Sequence, residues 1–419
     1  MLLSPEAAWR RLEDEISVMG AESVSRQEAC ARILAADVAA TVDAPPADVS
    51  AMDGYVLRGD VPVDRQLSAD RESAAGHPPE FALGDGEVAR IMTGAVIPEG
   101  GDRVVPVELT DTGPEGRRQV TFRRDVDTGA NIRRAGEVVR AGSPLLRAGS
   151  LLTPAAISLL ATHGHREVSV VRRPRIAILS SGDEVIPPDE TPKPGQLRDS
   201  NTVFLQAAAA SLGLEAESLG IAADRRDDLV GRIQHGLSFD VLLLCGGVSK
   251  GEYDLVEDVL AELGCRSLFD AVAIQPGKPL VAARHGGEGA GWVFGLPGNP
   301  ASVMVTFWLF VRPVLRRLQG YADGFWHGAL RGRLDAPLRG ARDRDRFLPA
   351  EIQFDDGVLG VSPAPPKGSH DNAAYARGTA LVRVPREQAP RDVGGECEVL
   401  PLFDWPASVK DLSSPKNRP

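Results

Sequence analysis

The chain has 419 residues, 43% of them hydrophobic, which is too many for one ordinary core and enough for three or four packed domains. Its 58 acids against 47 bases leave a net charge of -11, which argues against a dedicated nucleic-acid or membrane-surface protein. No apolar run reaches the roughly 18 residues of a membrane span, the four cysteines form no CxxC pair, and no HExxH occurs, so a reduced, cytoplasmic chain without a thiolate metal site is expected.

The first segment, MLLSPEAAWRRLEDEI, reads as an amphipathic helix with early acids and lacks the basic start and apolar core of a signal peptide. A second helix is expected over about residues 25–36. After it come short segments punctuated by Gly and Pro, the pattern of a β-rich region. This region extends to about residue 171, with an inserted β subdomain near 46–125. Asp53-Gly54 in SAMDGY is a natural tight turn. His163 and His165 have an HxH spacing but read as loop residues before a strand.

From about 172 to 328 strands and helices alternate. RIAILS (175–180), EAESLGIA (215–222), DVLLLC (240–245), FDAVAIQ (269–275) and WVFGLP (292–297) are strand candidates. NTVFLQAAAASLG (201–213) is helical, with Ser200 or Asn201 as N-cap, and DDLVGRIQHGL (227–237) has helical spacing. ASVMVTFWLFVRPVLRRL (301–318) is a long, mostly apolar helix with Asn299 as cap and Pro300 at its first position. The alternation predicts an open, largely parallel α/β sheet covered on both faces. Ligands of such sheets bind beyond the C-terminal strand ends. Residues 329–405 return to short alternating stretches that suit a small β-barrel-like domain, and 406–419 read as a tail.

Three strand-end loops gather polar chemistry. CGGVSKGEYD (245–254) follows a buried strand and precedes a helix. Gly246 and Gly247 let a ligand approach the backbone, Ser249 adds a hydroxyl, and the helix start favours an anion. Asp254 either caps that helix or holds a divalent cation bridging to phosphate. The spacing is not that of a nucleotide P-loop. SSGDE (180–184) and GLPGNP (295–300) lie at other strand ends. Asp183, Glu184, Asp199, Asp224 and Asp254 would then gather along one sheet edge, where like charges need a cation, a substrate base or water beside them. GEGAG (287–291) reads as a hairpin turn. Only six basic residues are lysines, and two of these, Lys250 and Lys278, sit in glycine-containing loops. In QPGKPL, Lys278 stands between two prolines, which reads either as a rigid cationic site for an oxyanion or as a surface turn.

Taken together, SAMDGY, TGAVIP with Asp102, GANIRRAGE, SSGDE, DSN, CGGVSKGEYD, PGKP and GLPGNP stand in the order seen in the molybdopterin molybdenumtransferase family, which this chain resembles. The resemblance spans roughly residues 45–302, and the domain layout matches over nearly the whole chain. It implies a multidomain α/β plus β fold: a central molybdopterin-binding α/β domain, an N-terminal helical and β-rich region, and a C-terminal β domain. It implies that molybdenum from molybdate is inserted into adenylylated molybdopterin with release of AMP, assisted by Mg2+. It further implies a homodimer, exchange with the upstream adenylylating enzyme and with molybdoenzyme acceptors, and no nucleic-acid or membrane partner.

Carried onto this sequence, the family pattern assigns catalytic roles to Asp53, Thr93, Glu137, Glu184, Asp224 and Lys278. Of these, Asp53, Thr93 and Glu137 would reach in from the second subunit. Ser180, Gly182, Asp183, Asp199, Asn201, Gly246, Gly247 and Ser249 would hold the pterin substrate, with Pro297, Gly298 and Asn299. Pro279 and Ser302 would line a molybdate site with Lys278, Ser369 in the last domain's glycine-serine stretch would bind substrate, and Asp254 and Asp224 would serve the cation. The chain departs from the family at Val138, where an acid is usual, at Gln275, where some members carry lysine, and at Gly378-Thr379, where Ala-Asn is common. Arg346 is a candidate for the last domain's arginine. Rival expectations are an adenylylating enzyme sharing the α/β domain, a non-catalytic molybdopterin-binding scaffold, and a tungsten-inserting sibling.

Overall fold

The computed structural model describes residues 2–113, 116–223, 225–246, 255–286 and 291–402. The chain divides into two compact units, Met1–Ala21 with Val171–Pro419, and Glu22–Val170.

The first unit is built on a six-stranded sheet. Its strands are β1 (Ile176–Ser181), β2 (Ala216–Ala222), β3 (Val241–Cys245), β4 (Cys265–Ala271), β5 (Pro279–His285) and β6 (Trp292–Leu296), in the order β2-β1-β3-β6-β5-β4. The first four in that order are parallel, while β5 pairs antiparallel with both β6 and β4. Strands β1, β3 and β6 are buried at every position, as continuous apolar runs require when both faces are covered. Alternate residues feed two cores. Ile176, Ile178, Val241, Leu243 and Phe294 face one layer, and Ala177, Leu179, Leu242, Leu244 and Val293 face the other. Helices α1 (Pro5–Glu13) and α2 (Ser200–Ser211) contribute Trp9, Leu12, Leu205 and Ala209 to the first core. Helices α3 (Arg226–Gly236) and α4 (Leu255–Glu262) contribute Leu229, Ile233, Val256 and Val259 to the second. Because Ala8, Trp9 and Leu12 are buried here, the opening helix belongs to this unit and not with residues 22–170, as a boundary at 171 would have it.

The long apolar helix forms as α5 (Pro300–Thr306), a π-helical turn at Phe307–Val311, and α6 (Arg312–Leu318). The expected strand 269–275 is split. β4 ends at Ala271, and Ile274–Gln275 pairs instead with the next domain, in parallel with Asp345 and Arg346. That domain is a closed five-stranded barrel of β7 (Leu330–Leu334), β8 (Asp345–Asp355), β9 (Val358–Pro363), β10 (Ala380–Val384) and β11 (Glu396–Pro401), joined in the order β8-β9-β7-β11-β10 and back to β8, with α7 (Asn372–Arg377) in one connection. Phe347, Tyr375, Leu381 and Leu400 of this domain share a continuous core with Trp308, Phe310 and Leu315.

The second unit carries a four-stranded sheet of Glu72–Ser73, Val88–Ile91, Gly54–Leu57 and Arg103–Pro106, and a three-stranded sheet around Gly116–Phe122. The helix expected over 25–36 does not form. Ala31 takes a φ of +61°, which a helix interior does not accept. Its N–H donates to the Leu152 carbonyl, and that of Leu34 to Ser150. Burial of Leu34 beside Leu152 and Val170 outweighs the local helical pattern. His163 is not in a loop: it caps the C-terminus of helix Pro154–Thr162 and is buried. His165 Nε2 lies 2.9 Å from the Ala39 carbonyl.

Candidate active site

The chain leaves β1 outward to β2 and then crosses back to β3 on the other side of β1. A crevice therefore opens beyond the C-terminal ends of β1 and β3. Gly246, just past β3, approaches the end of β1 so closely that a Cβ on it would lie 2.6 Å from the Ser181 carbonyl oxygen. With a φ of +92°, this position admits only glycine without strain.

The polar groups around this crevice are tied to one another. Asp199 is nearly buried and is the N-cap of α2: its carboxylate accepts the Thr202 N–H at 3.0 Å and the Thr202 hydroxyl at 2.7 Å. The expected cap at Ser200 or Asn201 is thus one or two residues too late, because the aspartate reaches the free N–H of the first turn. Thr202 Oγ1 in turn lies 3.0 Å from Ser180 Oγ. Asn201 donates to the Gly298 carbonyl at 2.8 Å and so fixes the loop after β6. Asn299 occupies the cap position of α5 without a side-chain cap bond, which leaves its amide for a ligand.

Three cavities run along this edge. A strand-end cavity of about 570 Å³ is lined by Ser180, Gly182, Glu184, Asp199, Asn201, Gly246, Pro297, Gly298 and Asn299. On the β2 side, a cavity of about 720 Å³ shares Gly182 and Asp199 with it and adds Asp183 and Arg232. On the barrel side lies a third, of about 450 Å³, which shares Pro279, Pro297 and Asn299. Lys278, Arg344 and Arg346 line this third cavity with the hydroxyl residues Ser302 and Ser369, and among the described residues no Asp or Glu does. It is a cationic pocket. Arg346 is oriented by donating to the Gly340 carbonyl at 3.0 Å.

Of the sequence-predicted set, Gly247, Ser249, Asp224 and Asp254 lie outside the described residues. Asp53, Thr93 and Glu137 belong to the second unit. There the Thr93 N–H and hydroxyl both donate to Asp53 Oδ1 at 2.7 Å, and these donors hold the Asp53 carboxyl below the usual carboxylate range. Glu137 accepts the Arg134 N–H at 2.8 Å within its turn, and Val138 beside it is 75% exposed.

Sequence reading missed Arg344 and His370 as lining residues. The signal for the first was RDRDR (342–346). Alternation at the start of a strand turns Arg344 and Arg346 one way and Asp345 the other, and Asp345 is buried against Arg383 at 2.6 Å. Among the described residues, no group of three or more His, Cys, Asp or Glu is placed to hold a metal ion. The residues expected to serve Mg2+, Asp224 and Asp254, lie outside the described residues.

Comparison with known proteins matches residues 3–164 to the MoeA N-terminal region (domain I and II), 177–317 to a probable molybdopterin binding domain, and 331–402 to the MoeA C-terminal region (domain IV). The chain is 37% identical over 393 residues to a molybdopterin molybdenumtransferase of Nostoc sp., covering 91% of this chain and 88% of that protein. It is 36% identical to that of Haemophilus influenzae over 405 residues, covering 96% and 99%. A crystal structure of the molybdopterin biosynthesis MoeA protein of Pyrococcus horikoshii superposes with a TM-score of 0.81 at 30% identity, covering 97% of this chain and all of that one. With three family regions matched in order and relatives aligned nearly end to end, the chain belongs to the molybdopterin molybdenumtransferase family.

Proposed function

We propose that this protein transfers molybdenum from molybdate to adenylylated molybdopterin and releases AMP. The observation that carries the reading is the cationic cavity that meets the strand-end cavity at Pro279, Pro297 and Asn299. A tetrahedral dianion suits a pocket whose described lining has one lysine, two arginines and two serines and no carboxylate. Lys278 is its point charge, while Arg344 and Arg346 supply planar donors. The strand-end cavity takes the pterin and its phosphates, with the helix start at Asn299 favouring negative charge.

A divalent cation, Mg2+, would be held through Asp224 and Asp254 and would neutralise phosphate charge. Omitting Mg2+ should then lower turnover. The protein is proposed to act as a cytoplasmic homodimer, with Asp53, Thr93 and Glu137 of one copy completing the site of the other. No described helix is long and apolar enough to cross a membrane.

The test is turnover of adenylylated molybdopterin with molybdate, followed as AMP release. Lys278→Ala should lower kcat/KM by about 10²-fold, the scale of removing one preorganised charge donor, with unfolding unchanged because Lys278 is exposed. Wild-type activity in this variant would remove the role given to Lys278. ATP consumption with free molybdopterin would point instead to adenylyl transfer.

A further inference from the structure

Ser369 and His370 are adjacent in the loop before α7, yet they line different cavities. Ser369 faces the cationic pocket and His370 the strand-end cavity. The loop that carries them is fixed. The Asp371 carboxylate accepts the Lys367 N–H at 3.0 Å and the Ala374 N–H at 3.1 Å. Ala301, in the first turn of α5, donates its N–H to the Ser369 carbonyl at 3.1 Å. The imidazole itself is exposed and has no hydrogen-bond or ion-pair partner among the described residues.

Two of the other charged groups of this cavity, Asp199 and Glu184, have the wrong sign for a phosphate, and the third is Arg198. Asp199 is bound to Thr202. The Glu184 carboxyl folds back over Gly182. Arg198 commits one of its five N–H groups, Nε, to the Glu190 carbonyl at 2.9 Å. Lys367 and Asp371 are the charges nearest in the His370 loop, and Lys250, Glu252 and Asp254 follow Gly246 outside the described residues. Lys278, Arg344 and Arg346 line the neighbouring pocket, and none of them lines this one. A phosphate seated beyond β1 and β3 therefore meets the start of α5, the Asn299 amide, Arg198 and the unengaged His370 imidazole.

We infer that the His370 imidazolium donates a hydrogen bond to the phosphate portion of the substrate in the strand-end cavity. This inference rests on the substrate reading above. It makes His370 a binding residue, and two pH values that bracket the ordinary range of an imidazole test whether the contact is charged.

ADP is a suitable probe, because it carries a pyrophosphate without the pterin. Its binding to the full-length protein is measured by calorimetry for wild type, His370→Ala and His370→Arg at about pH 6 and about pH 8.5. Dividing each affinity by that of His370→Ala removes the probe's own ionisation. The wild-type ratio should be about tenfold at the lower pH, the scale of a hydrogen bond to a charged group, and should fall toward unity at the higher. His370→Arg should keep its advantage at both. A wild-type ratio near unity at the lower pH, or one that does not change with pH, overturns the inference. The substrate reading is judged separately, by whether the wild-type protein turns over adenylylated molybdopterin, so failure of one is distinguishable from failure of the other.

Discussion

Replacing Gly246 with alanine places a methyl group 2.6 Å from the Ser181 carbonyl oxygen, at a residue whose φ is +92°. Two separate terms follow. A left-handed backbone costs a residue with a Cβ about 1–2 kcal/mol. Forcing an extra methyl against packed backbone costs about 1–3 kcal/mol more. Gly264→Ala isolates the first term, because Gly264 also has positive φ (+79°) but a methyl group there would meet no atom within 4 Å. Denaturant unfolding should therefore show Gly246→Ala less stable than Gly264→Ala by about 1–3 kcal/mol. Relief of the clash requires the end of β1 to retreat from β3, which opens the mouth of the strand-end cavity. Turnover should fall in Gly246→Ala and survive in Gly264→Ala. Equal stability of the two variants would refute the steric argument.

Asp240 accepts two bonds from Arg172, each 2.9 Å, and the Arg175 N–H at 2.7 Å. Burial pushes its carboxyl up, but these donors outweigh burial and hold it below the usual range. A depressed folded-state pKa gives stability that is present above the unfolded value of about 3.9 and is lost as pH falls through the folded one. Asp240→Asn should cost about 2 kcal/mol near neutral pH, with the gap to wild type closing in acid. Asp199→Ala should cost about 1–2 kcal/mol through loss of the α2 cap and should weaken substrate binding, because Ser180 and Thr202 lose their anchor. Asp53→Asn should lower turnover with little change in unfolding, since Asp53 is exposed. Mixing it with Lys278→Ala should restore activity if the two residues serve one site from different copies, and failure to restore it would remove the shared-site proposal.

Much of the α/β layer was legible because its strands are apolar runs bounded by glycine and proline. The loops that end β1, β3 and β6 stood out for the same reason. Residues 25–36 were not legible: their helical spacing is real, but the buried partners of Leu34 lie more than a hundred residues later in the chain. The sequence does not single out Asp199 as the cap, because neighbouring Ser200 and Asn201 are equally good caps and only the backbone shows which one is not yet helical. The cationic pocket was half visible. Lys278 and Ser302 sit in readable motifs, whereas Arg344 joins them only because Ile274–Gln275 pairs with the barrel, a contact that no local pattern announces.

That pairing, with the core shared by Phe347, Tyr375, Leu381 and Leu400 on one side and Trp308, Phe310 and Leu315 on the other, has a mechanical consequence. Tyr375 even donates its hydroxyl to the Phe347 carbonyl at 3.1 Å inside this shared interior. A fragment ending near residue 328 would bare one side of a continuous apolar interior and remove a wall of the cationic pocket. Sheet and barrel should therefore melt in a single cooperative step. Two modules that pattern separates along the chain behave as one body, and whatever loosens the barrel is felt at Lys278.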